Sequence, residues 1–163
     1  MNIVVGATGS LGSAICRLLT AKGKPVRALV RATSDRAKVG ALKALGVEIA
    51  RGDLRDRASL ENACQGVRAV ISTASSMPFS YQPGQNDVQA VDLDGLSFLI
   101  AAAQAADVSR FIYTSFSGQI DLDFPLRNAK RRVEKRLKDS GLVLHRATPQ
   151  LFYAGLAQPD GGL

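Results

Sequence analysis

A doubly wound parallel α/β sheet is the fold class that the sequence predicts, and three observations predict it. Short apolar runs alternate with longer segments of helical periodicity along the chain. The runs are apolar on successive residues, as strands covered on both faces require. A glycine-rich turn closes the first run and opens the first periodic segment. Right-handed crossovers between parallel strands then favour the order 3-2-1-4-5-6, a Rossmann-type sheet.

Each element follows from its residues. Ile3-Val4-Val5 is a buried strand, and Leu11, Ile15, Leu18 and Leu19 mark a helix that Gly23 closes. Val26 to Val30 is the second strand, Ala37 to Leu45 the second helix, and Val47 to Ala50 the third strand. Asp35 lies past the second strand, where it caps the next helix. Ser59 is expected to cap a short helix running through Gln65, with Glu61 in its first turn. Ala69 to Ile71 is strand four. The stretch from Ser75 to Asn86 carries Pro78, Pro83 and Gly84 and reads as a loop. One long helix is expected from Asp87 to Ala106, then strand five from Arg110 to Thr114. A basic helix from Leu126 to Lys138 and a sixth strand beginning at Leu142 to Leu144 complete the pattern.

Composition narrows the class. A chain of 163 residues, 46% hydrophobic and 21% charged, can bury a core as one domain, which excludes a disordered tail. Apolar stretches such as Phe98 to Ala106 are broken by Gln104 and fall short of the ~20 residues of a membrane span. The opening residues carry no basic signal-peptide region, so a cytoplasmic location is expected. Cys16 and Cys64 form no CxxC pair and read as buried thiols in a reducing compartment. His145 is the only histidine, which excludes a histidine-based metal cluster, and no metal is expected. The net charge of +7 suits an anionic partner, either nucleic acid or a small molecule.

The most informative run is Gly6-Ala7-Thr8-Gly9-Ser10-Leu11-Gly12. Gly6 permits the tight turn, Gly9 lets backbone approach a pyrophosphate, and Gly12 lets the helix pack closely on the sheet. The helix start offers unpaired N–H groups and a positive dipole end to phosphate, with Thr8, Ser10 and Leu11 as donors. The residue at the end of strand two selects the nucleotide. NAD sites place a carboxylate there to accept the ribose 2′-OH. Here Arg31 stands nineteen residues after Gly12, and a guanidinium pairs with a 2′-phosphate instead. Thr33 and Ser34 add hydroxyls and Arg36 a second charge. NADP(H) is therefore expected in preference to NAD(H).

Taken together, these residues resemble the atypical short-chain dehydrogenase/reductase group, and within it the NmrA-like family. The glycine run resembles that family's nucleotide turn, and Val26 to Arg31 its NADP-type second strand. Gly52 to Asp56 resembles the segment after strand three, Gly66 to Ser72 strand four, and Arg110 to Ser115 strand five. Ala129-Lys130 through Glu134, then Ser140 to Leu142, resembles the helix and turn leading into strand six. The resemblance runs over nearly the whole chain. It implies that Asp53 and Leu54 hold adenine and that Ser72, Thr73 and Ala74 flank the ribose. It also implies that Ser115 lies beside the nicotinamide and that Lys130 binds the nicotinamide ribose and tunes a neighbouring hydroxyl.

The sequence departs from the superfamily at two points. The usual tyrosine one helical turn before the lysine is replaced by Leu126, which removes the phenolic acid. Some relatives without that tyrosine reduce substrates, and others only sense the cofactor. Tyr113 and Tyr81 are candidate substitutes, Tyr113 within a strand. The second point is length: the sequence stops about fifteen residues after strand six, so it is expected to be either a fragment or a shortened form, with the C-terminal substrate lobe reduced or absent.

The helix from Arg127 to Lys138 holds seven basic residues, with Leu126, Ala129, Val133 and Leu137 as an apolar stripe and Glu134 placed to pair with Lys138. No aromatic residues interleave with its charges, so a solvated face is expected rather than a nucleic-acid surface. Phe79 and Tyr81, in the loop after strand four, are placed either to meet a substrate or to anchor the loop. The expected function is hydride transfer between NADP(H) and a small carbonyl, quinone or enone. The alternative is a non-catalytic NADP-sensing regulator or assembly factor that acts on a protein partner.

Overall fold

The computed structural model describes residues 1–76, 81–116 and 123–148. Six parallel strands form one sheet in the order β3-β2-β1-β4-β5-β6, as expected. They are β1 Asn2–Val5, β2 Val26–Val30, β3 Glu48–Arg51, β4 Ala69–Ser72, β5 Arg110–Thr114 and β6 Val143–Ala147. The helices are α1 Ser10–Ala21, α2 Arg36–Ala44, α3 Arg57–Cys64, α4 Leu96–Ala105 and α5 Pro125–Asp139.

Alternation along β1 shows how the sheet is covered. Ile3 and Val5 enter a core with residues of α3, α4 and α5, among them Leu60, Leu99 and Val133. Val4 enters a second core on the opposite face with Cys16 of α1 and Val39 and Leu42 of α2. Successive side chains of a strand point to opposite faces, so both faces must be apolar when both carry helices. The edge strands β3 and β6 are only partly buried, because each has a neighbour on one side alone. Cys16 and Cys64 are free and buried, one in each core.

Asp35 caps α2 by accepting from the amides of Ala37 and Lys38, as its position predicts. The cap of α3 falls elsewhere than expected. Asp56 accepts from the Ser59 amide and the helix starts at Arg57, which moves Glu61 out of the first turn. The Ser59 hydroxyl instead donates to the Asp56 carbonyl and accepts from the Asp53 amide.

The expected single helix from Asp87 is two pieces. A π-helical segment, Val88–Gly95, with Asp87 as its cap, runs into α4. The wider turn brings Asp92 fully inward, against the expectation of one regular helix. On α5, Ala129, Val133 and Leu137 are buried as the stripe predicts. Glu134 is buried as well and pairs with Arg131 at 2.8 Å and Arg146 of β6 at 3.4 Å, not with Lys138. No helix among the described residues is long and apolar enough to cross a membrane.

Candidate functional site

The carboxyl ends of β1, β2 and β4 meet at the glycine turn. Gly6 has φ +85°, and a Cβ there would lie 2.7 Å from the Thr73 Oγ1 and 2.9 Å from the Ala74 amide nitrogen. A Cβ on Gly12 would collide with the Gly6 carbonyl and come within 2.8 Å of the Ala7 Cα. Gly9 opens α1 with extended backbone, and neither a capping side chain nor an acid in the first turn occupies the helix start. The first N–H groups of α1 therefore face outward as donors for an anion. Thr73 ties β4 to β1, its amide and hydroxyl both donating to the Val5 carbonyl at 2.9 and 3.1 Å.

A cleft of about 340 Å³ opens over this turn. Gly6, Thr8, Gly9, Arg31, Asp53, Leu54, Thr73 and Ala74 all line it, together with Ser34, Lys38, Arg55 and Ser75. The fold thus brings together residues from four separate loops that the sequence singled out one by one. Ser10 lines an adjoining hollow with Thr8 and Lys38. Leu11 is half-buried and Gly12 buried in the first turn of α1. Ser72 is fully buried beneath the cleft floor, and its hydroxyl has no hydrogen-bond partner.

Charge at the cleft is arranged asymmetrically. Asp53 grips Arg55 through two hydrogen bonds of 2.9 Å and also accepts from the Arg55 amide. The Arg55 guanidinium holds the Asp53 carboxyl below its usual range against the opposing effect of burial, and Arg31 adds to the lowering. Asp35 is committed to its helix cap. Among the described residues, no ion pair engages Arg31.

Lys130 and Ser115 lie apart from that cleft, at the carboxyl end of β5. Lys130 is 6% exposed; its ammonium donates to the Thr114 carbonyl at 3.2 Å and lies 3.6 Å from the Asp92 carboxylate. The Tyr113 ring centroid is 5.1 Å away. Burial pushes the Lys130 pKa down, and Asp92 and Glu134 partly restore it. Ser115 is 2% exposed, its amide donating to the Ala147 carbonyl while its hydroxyl has no partner. Tyr113 is fully buried and its phenol is held far above its usual range by burial and by Asp92. It packs within the core on the α3–α4–α5 face of the sheet. Tyr81 is exposed, and Phe79 lies outside the described residues.

Sequence reasoning missed Asp92. Its carboxylate accepts from the hydroxyls of Ser75 and Ser76 and from the Ser76 amide, besides facing Lys130. Ser75 also lines the cleft, so a chain of polar contacts runs from the cleft wall through Asp92 to Lys130. The available signal was an acid between Val91 and Leu93 in an apolar stretch. Among the described residues no group of His, Cys, Asp or Glu is placed to hold a metal ion.

The sheet order and the cradle at its switch point define the class: a Rossmann-type α/β domain built around a dinucleotide-type glycine turn. Within that class the chain belongs to the NmrA-like family, whose model matches residues 2–159. It is 34% identical over 158 residues to the photosystem II assembly factor Ycf39 of Trieres chinensis, covering 96% of this chain and 47% of that protein. It is 33% identical over 158 residues to the NAD(P)H azoreductase of Xenophilus azovorans, covering 96% and 50%. Among solved structures, the NADPH-dependent quinone oxidoreductase QOR2 of Escherichia coli complexed with NADPH superposes with a TM-score of 0.69. It is 31% identical, over 90% of this chain and 47% of that one. The chain spans about half the length of the curated relatives it matches.

Proposed function

We propose that this chain binds NADP(H) in preference to NAD(H) and serves hydride transfer to a small carbonyl, quinone or enone. The observation that carries the reading is the end of β2, where Arg31 faces the glycine cleft and both nearby acids are engaged elsewhere. An NAD site needs a carboxylate free to accept two ribose hydroxyls, whereas an unpaired guanidinium suits a 2′-phosphate. The glycine turn and the open start of α1 suit a pyrophosphate, because no Cβ or capping side chain stands in its way. Relatives named for NAD(P)H- or NADPH-dependent reduction support a nicotinamide dinucleotide as the ligand, and the choice between NADP(H) and NAD(H) rests on Arg31.

Once bound, the nicotinamide supplies the hydride. The protein's part is to hold and orient. Asp53 and Leu54 would flank adenine and Thr73 and Ala74 the ribose, with Ser72 buried behind them. Lys130 has three donors, of which Thr114 and Asp92 engage two; the third is left for the nicotinamide ribose. The buried, unpartnered Ser115 hydroxyl would be the donor held for the reacting oxygen.

A second reading, a non-catalytic NADP sensor acting on a protein partner, is favoured by one feature. Leu126 stands where a phenol is expected, and the buried Tyr113 is no substitute. The likeness to an assembly factor points the same way. Following NADPH absorbance with a panel of quinones and aldehydes separates the two, since tight binding without turnover selects the sensor. The cofactor assignment is tested by calorimetric titration of Arg31→Asp. NADPH binding is expected to weaken by roughly tenfold or more and NADH binding far less. Equal losses would refute it.

A further inference from the structure

Arg51 ends β3 and pairs in register with Val30, one residue before Arg31. Its Nη1 donates to the Arg31 carbonyl at 3.2 Å, which tethers an otherwise exposed guanidinium across the mouth of β2. The same carbonyl accepts from the Ser34 amide at 3.0 Å, and the Arg31 amide donates to the Ser34 hydroxyl at 3.0 Å. One peptide oxygen therefore gathers the turn and the second arginine together.

Ser34 is the wall shared by two hollows. It lines the glycine cleft with Arg31 and also a second hollow bounded by Thr33, Arg36 and Arg51. Arg31 and Arg51 thus line two hollows that meet at Ser34. Among the described residues neither is in an ion pair, because Glu48 is held by Arg27, Asp53 by Arg55, and Asp35 by its helix cap. Two like charges near one another repel, and a dianion between them reverses the sign of that interaction. A phosphate monoester brings close to two negative charges and three acceptor oxygens. The Ser34 hydroxyl, which only accepts within the protein, keeps its proton for such an oxygen.

We infer that Arg51 is a specificity-determining residue, bracketing the 2′-phosphate of the adenosine ribose over Ser34 together with Arg31. This rests on the dinucleotide reading above and adds to it a residue that no glycine or strand-two pattern marks. Arg36 is the α-helical neighbour in the same hollow, but it lacks the tether to the Arg31 carbonyl.

The test uses the full chain and four probes: NADPH, NADH, adenosine 2′,5′-bisphosphate and 5′-AMP. Arg51→Gln should weaken NADPH and the bisphosphate by roughly tenfold, while NADH and 5′-AMP change by less than about twofold. Arg51→Lys should recover part of the loss, since it keeps the charge without the fork. Retained NADH binding certifies that the variant is folded. Equal weakening of all four probes would mean Arg51 only braces the turn, and an unchanged NADPH preference would mean it does nothing there. Either result overturns the inference and leaves the cofactor reading standing. A wild-type protein that binds neither dinucleotide, or prefers NADH, overturns both.

Discussion

Replacing Asp92 with alanine tests whether the buried polar chain beneath the cleft is a structural tie. Asp92 is fully buried, accepts three hydrogen bonds from Ser75 and Ser76, and is the carboxylate paired with Lys130 at 3.6 Å. Its removal leaves the buried Lys130 ammonium with the Thr114 carbonyl as acceptor and without its 3.6 Å carboxylate, and strands the buried Ser76 amide. Breaking one partner of a buried ion pair costs about 3–5 kcal/mol, a large share of the ~5–15 kcal/mol that holds a domain folded. With a urea dependence of about 2 kcal/mol per molar, the unfolding midpoint should fall by about 2 M. The double variant Asp92→Ala with Lys130→Met removes both charges and should regain most of the loss. The pH dependence carries a sign. Burial already lowers the Lys130 pKa below 10.5, and losing Asp92 lowers it further. The unfolded chain then holds more protons than the folded one between the folded pKa and 10.5, so stability rises with pH across that window. The deficit of Asp92→Ala should be greatest near neutral pH and shrink as pH rises. A cost below about 1 kcal/mol, or a double variant as unstable as the summed singles, would refute the argument.

The remaining expectations are simpler to read out. Gly12→Ala should destabilise by more than about 2 kcal/mol in urea and weaken NADPH binding, since its Cβ meets the backbone of Gly6 and Ala7, which has no rotamer to move. A melting temperature within a degree or two of wild type would contradict it. Cys16 and Cys64 should resist a thiol reagent at pH 8 until the protein unfolds, because burial pushes both thiols up to about 11. Rapid native-state labelling of either would show that its core opens.

The fold was legible because its determinants are local and repeated. The central strands are short, mostly apolar runs, the helices carry 3.6-residue stripes, and handedness leaves little freedom in joining them. The misses share one cause. Ser59 and Asp56 are both competent caps three residues apart, and the Asp53 amide, which claims the Ser59 hydroxyl, belongs to a loop whose path is set by β3. Glu134 has basic residues three and four positions away on its own helix, but β6 covers that face and brings Arg146 to it. Local pattern shows which partners are reachable, and tertiary contact decides among them.

The site divides along the same line. The glycine turn is readable because its chemistry is backbone chemistry: the left-handed φ of Gly6 and the missing Cβ of Gly12 are properties of single residues. Arg31 is readable because a strand end is a fixed place in the fold. Asp92 and Arg51 act only through neighbours distant in sequence. Asp92 gains its partners when a π-helical turn rotates it inward against Ser75, Ser76 and Lys130, thirty-eight positions on. Arg51 gains its place when β3 pairs with β2 and sets its guanidinium on the Arg31 carbonyl. In both cases a charge that looks like ordinary surface composition in the sequence becomes specific only through contacts with residues distant along the chain, which is why substitution of Asp92 or Arg51 tests tertiary placement rather than local pattern.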